Sequence, residues 1–124
     1  MTILEAINGI DTIKPNRYTQ SEKIAWLSTL DGSIKKEIID THCGGEDVVF
    51  EGYDDRTSVS TNLLVPAPYD SIYFRWLEAR IDYANGEYGK YNNSAIAYNA
   101  AYNDFAQYYI RHHAPIHNAN RFIF

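Results

Sequence analysis

Four stretches of this sequence repeat apolar residues at spacings of three and four, and each closes on proline or glycine. That pattern demands helices, because only a helix brings such positions onto one face. Ile3, Ile7, Ile10 and Ile13 form the first stripe, widened by Leu4 and Ala6. Thr2 stands at the N-cap position. Lys14-Pro15-Asn16 ends the helix, since the residue before a proline avoids helical backbone. The second helix is expected from Thr19 or Ser21, with Glu22 at capping-box distance from Thr19. Ile24, Leu27, Leu30, Ile34 and Ile38 line its face, Trp26 stands off it, and it should stop before Gly44-Gly45.

Pro66-Ala67-Pro68-Tyr69-Asp70 opens the third helix. Ile72, Trp76, Ala79 and Tyr83 share one side, and Tyr73, Leu77, Ile81 and Ala84 the next. A stripe that wide predicts two neighbours. Asn85-Gly86 stops it. The fourth helix is expected from Asn92–Ser94 to about His112, with Tyr98, Tyr102, Phe105 and Tyr109 as a seam and Pro115 as its end.

Between the second and third helices, residues 43–65 lose this periodicity. Val48-Val49-Phe50 and Leu63-Leu64-Val65 read as short extended pieces around Gly52, Asp54, Asp55 and the run Thr57 to Thr61. A long irregular connection or a small hairpin is expected, and connections of this length commonly carry function. The sequence therefore predicts one all-α domain over 1–124. It is a small bundle of about four helices, with the 43–65 connection and a tail over 114–124.

Charge narrows the function. The net charge is -5, which lacks the basic footprint of a nucleic-acid binder or of a protein that docks on anionic lipid. No apolar run approaches a membrane span. The N-terminal residues do not read as a secretory signal, so the expected location is the cytoplasm. The single Cys43 excludes an intrachain disulfide. No cofactor is expected.

Several residues invite a chemical reading, and each has a plainer one. His42, Cys43, His112, His113 and His117 lack the paired spacing of a zinc site. Solvent-exposed histidines at helix ends, which favour a helix C-terminus when charged, are the simpler account. Cys43 with a histidine would need a third residue to orient the base, and none is tied to it by sequence. Glu78 and Asp82 share a helix face, but Arg75 lies one turn away, and the plainer reading is a polar or salt-bridged face in which Arg75 and Glu78 can pair. Asp54-Asp55 reads as a solvated turn, since no ladder of calcium ligands surrounds it. The protein has 11 Tyr, and Tyr69, Tyr73, Tyr83, Tyr88 and Tyr91 gather near the junction of the last two helices. Exposed aromatic clusters mark protein-binding surfaces, and they can also stack on sugars.

The longer runs add a resemblance. Leu63-Leu64-Val65-Pro66-Ala67-Pro68-Tyr69-Asp70, Trp76-Leu77-Glu78-Ala79, Ile81-Asp82-Tyr83, Asn85-Gly86-Glu87-Tyr88 and Lys90-Tyr91-Asn92-Asn93-Ser94 carry it. Lys23-Ile24 and Leu30-Asp31-Gly32 with Ile34-Lys35 extend it. The chain resembles the head-tail connector, or adaptor, proteins of tailed bacteriophages and prophages of Gram-positive bacteria. The resemblance spans about Leu4 to His112, contains no catalytic signature and does not reach Ile116–Phe124. It implies a structural protein, not an enzyme, that assembles as a homo-oligomeric ring. Its partners would be the portal protein and a tail-side completion protein. It would occupy the host cytoplasm during assembly and then the virion neck.

On that reading Val48, Phe50, Tyr53 and Val59 are expected contacts between subunits, and Phe122, Ile123 and Phe124 a docking tail. The tail's alternative is to fold back on its own bundle. The alternative for the whole chain is a non-virion binding or regulatory module encoded by a mobile element.

Overall fold

The computed structural model describes residues 1–116, and Phe122, Ile123 and Phe124 lie outside the described residues. Four α-helices build the bundle: α1 (Ile3–Ile13), α2 (Gln20–Ile34), α3 (Ile72–Ala84) and α4 (Tyr88–His112). No β-strand forms among the described residues, and two isolated bridges, Thr2 with Asn62 and His42 with Pro115, are the only ladder-like pairings there.

The helices start where their chemistry requires. Thr2 and Thr19 each accept from the backbone N–H three residues on, and Glu5 and Glu22 reach back to the cap N–H. Both are complete capping boxes, which satisfy donors that a helix leaves orphaned. Ile3, Ala6, Ile7 and Ile10 are buried on α1, and Ile24, Leu27, Leu30 and Ile34 on α2. Gly9 is the point of closest approach between α1 and α3. A Cβ there would stand 2.4 Å from the Phe74 ring.

Two boundaries differ from the expectation. α2 does not run on as a regular helix to Gly44. It widens into a π-helical turn over Lys35–Ile39, in which Asp40 N–H donates to the Lys35 carbonyl at 2.8 Å. The extra residue per turn lets adjacent Ile38 and Ile39 both enter the core. Gly44, at φ 89, and Gly45 then turn the chain; a Cβ on Gly45 would lie 2.3 Å from the Ile39 carbonyl oxygen. α4 begins at Tyr88, earlier than Asn92. Glu87 N–H donates to the Asp82 carbonyl at 3.0 Å, so α3 and α4 form a tight helical hairpin across Asn85–Glu87.

Tyr73, Leu77 and Ile81 of α3 meet Phe105 and Tyr109 of α4 in the same core that α1 and α2 complete. No described helix is long and apolar enough to cross a membrane.

Candidate interaction surface

The connection between α2 and α3 is irregular, yet it is fastened to the helices, most densely at two places. The first is the N-terminus of α1. Ile3 N–H donates to the Thr61 carbonyl at 3.0 Å, Leu4 N–H to the Val59 carbonyl at 2.9 Å, and Leu63 N–H to the Met1 carbonyl at 2.9 Å. Helix donors that would otherwise need water are satisfied by the loop.

The second is Asp31, a fully buried carboxylate on α2. Tyr53 Oη donates to its Oδ2 at 2.6 Å, Tyr73 Oη to its Oδ1 at 2.7 Å, and Leu64 N–H to its Oδ2 at 3.1 Å. Tyr73 Oη itself accepts from Val65 N–H at 2.8 Å. One carboxylate thus gathers the middle of the connection, its C-terminal end and the first turn of α3. Burial pushes the Asp31 carboxyl up from its ordinary value, and the three donors pull the other way. Burial, joined by the negative charge of Asp31, also pushes both phenols up. Sequence reasoning missed Asp31. Its partners lie 22, 33 and 42 residues away, and no local pattern reports them.

Two shallow clefts sit on this fastened connection and share Leu64. One, about 240 Å³, is lined by Val49, Phe50, Gly52, Tyr53, Thr57 and Thr61 among others. The other, about 210 Å³, lies between the turn at Gly44, Val48 and the end of α4 at Phe105, Tyr108, Tyr109 and His113. Val49, at 78% exposure, lines the first.

The four loop residues expected at a subunit contact fall in different settings. Phe50 is half-buried and meets Tyr53 edge to face at 5.0 Å. Val48, Tyr53 and Val59 pack partly on the protein's own core. The Tyr53 hydroxyl is committed to Asp31. Sequence reasoning passed over Val49 as a surface residue, although it is the most exposed apolar side chain of the loop.

The described chain ends beside these clefts. Cys43 N–H donates to the Ala114 carbonyl at 2.7 Å, and Ile116 N–H to the Thr41 carbonyl at 2.8 Å. Ala114 and Ile116 are thereby held beside the cleft that His113 and Gly44 line.

The other singled-out residues find local uses. His42 is buried, not solvent-exposed as expected. Its Nδ1–H donates to the Ile38 carbonyl at 2.6 Å and its ring meets Tyr109 edge to face. His112 and His113 donate from Nδ1 to the carbonyls of Tyr108 and Tyr109 in the last turn of α4. Cys43 is exposed. Among the described residues no three His, Cys, Asp or Glu side chains stand together as a metal site. Asp54 organises its own turn, accepting from Arg56 N–H at 2.8 Å. Asp55 accepts from Ser21.

Arg75 and Glu78, which could have paired, form no ion pair among the described residues. Asp82 instead turns inward to Lys14 and to the Ser94 hydroxyl, which donates at 2.9 Å. Arg75 and Glu78 are left to line an open groove across α3. The tyrosines also divide. Tyr73 is fully buried and Tyr69 stacks on Tyr108 at 4.6 Å, while Tyr83, Tyr88 and Tyr91 cluster at the α3–α4 corner.

No protein-family model, no curated protein and no solved structure matches the chain.

Proposed function

We propose that this chain is a structural protein of a tailed bacteriophage or prophage, a head-tail connector that joins the portal vertex to the tail by assembling as a ring. The resemblance of its residue runs supplies the class. The observation that carries the reading is the fastened connection: an apolar, cleft-bearing loop held on a helical bundle at Asp31, with Ala114 and Ile116 bonded beside its cleft. A loop ordered before assembly loses little conformational freedom when a partner covers it. Val49 and Phe50 would then contact a neighbouring subunit, with Val48, Tyr53 and Val59 supporting them from beneath. The tail residues Phe122, Ile123 and Phe124 would dock on the adjoining ring. In this role the protein is no enzyme; its work is assembly, with the portal and a tail-side completion protein as partners.

Quantitative mass spectrometry on purified, induced particles tests the proposal, with portal and capsid proteins as internal references. The expected result is this chain at a copy number comparable to the portal. Portal and capsid without it would overturn the reading and leave a non-virion binding module.

A further inference from the structure

α4 carries two seams. The inner one packs in the core. The outer one is Ile96, Ala100, Asn103, Gln107 and Ile110, alternating spacings of four and three on the opposite face. All five are exposed, Ile96 at 68% and Ile110 at 53%. Asp104 and Arg111 lie one heptad apart on a single edge of that seam, and both are exposed. Among the described residues neither has an ion-pair partner.

We infer that the outer face of α4 pairs with the same face of a second copy, antiparallel and about a two-fold axis. Edge charges decide the orientation. In a parallel pair, this edge would face Asn99 and Ala106 of the other copy, which carry no charge. In an antiparallel pair the edge faces itself, so Asp104 meets Arg111 of the second copy twice over.

The same pairing fixes the register. It sets Ile110 against Ala100, large into small, and Asn103 against Gln107, whose amides can bond across the axis. A slip of one heptad would put Asp104 against Asp104 in one direction and Arg111 against Arg111 in the other, like charge on like. A two-fold pair closes on itself and builds no ring. The inference therefore describes the free subunit and stands apart from the proposed role.

Sedimentation velocity on the full chain, from about 10 μM to about 1 mM, tests it. The expected result is a concentration-dependent dimer. Arg111→Asp and Asp104→Arg should each weaken it at least about tenfold. The double variant, with the two charges exchanged, should restore it, while circular dichroism stays unchanged throughout. Orientation is read by disulfide cross-linking in a Cys43→Ser background. Ala100→Cys with Ile110→Cys should cross-link, and Ala100→Cys alone should not. A wild-type monomer across the range, a dimer indifferent to both reversals, or efficient cross-linking of Ala100→Cys alone would each overturn the inference.

Discussion

Asp31 on α2 and Asp82 on α3 sit equally deep, at 0% and 1% exposure, and the protein stabilises them by different means. Asp82 has a cation: Lys14 from the end of α1 pairs with it, and Ser94 of α4 donates to its other oxygen. Asp31 has no cation among the described residues. Two phenols and a backbone N–H complete it. Lys14 keeps 24% of its side chain in water, so its charge can retreat along a flexible stem if its partner is lost. Tyr73 has no such retreat, being fully enclosed. The first site ties helices together reversibly; the second commits a 23-residue connection to one conformation.

The largest expected effect follows from that commitment. Asp31→Ala removes the acceptor for three donors at once and should cost about 3 kcal/mol or more of folding stability. Urea unfolding measures it. Hydrogen exchange should quicken across residues 48–65 beyond what the global loss accounts for. A loss confined to α2 would break the comparison, because the connection would then owe its order to α1 and to the bonds from Ser21 and Ser28. Tyr73→Phe is the sharper probe. It leaves Val65 N–H without an acceptor and Asp31 with one donor fewer, for about 2 kcal/mol. Tyr53→Phe, at a half-buried site where water can substitute, should cost about half as much.

How far the sequence discloses this contrast depends on the distance over which each part is specified. α1 and the start of α2 are local matters: isoleucine spacing, a threonine and a glutamate three residues on. The beginning of α4 is less local, since Tyr88-Gly89-Lys90-Tyr91 has no side-chain cap and follows Glu87, whose N–H is held by the Asp82 carbonyl. Asp31 is legible only as a polar residue between Leu30 and Gly32, which reads as the solvent side of a helix. Nothing nearby announces that Tyr53, Leu64 and Tyr73 will converge on it. The burial of Leu63 and Val65 fits their apolar character, but their extended course comes from Met1 and Tyr73, not from a partner strand. Of the candidate surface, the loop was legible as a break in periodicity, and its fastening was not.

Asp82→Ala should cost less than Asp31→Ala, about 1 to 2 kcal/mol, because Lys14 can return to water and only the Ser94 hydroxyl loses an enclosed partner. The difference between this variant and wild type should shrink in about 1 M salt, which screens the partly exposed ion pair. The cost of Tyr73→Phe should not. A salt-insensitive Asp82 variant would mean that its hydrogen bonds outweigh its charge pairing, and the two sites would then be alike.

The smallest effect is one of pH, and it belongs to Asp31. Burial holds the Asp31 carboxyl above its ordinary value despite its donors. A folded state that keeps this proton to higher pH than the unfolded chain gains stability on acidification. That gain is complete below the unfolded value of about 3.9 and is lost as pH rises through the folded one. Asn at position 31 cannot titrate. Glu5, Asp11 and Glu87, whose carboxyls are held low by their hydrogen bonds, are common to both proteins and cancel in the difference. The stability of wild type relative to Asp31→Asn should therefore rise as pH falls from about 7 towards about 4, read from urea midpoints at matched pH. A relative stability that falls on acidification would show the three donors outweighing burial. Asp31 would then be held as an anion by dipoles alone, and the contrast with the lysine-paired Asp82 would lie only in which groups supply the stabilising charge.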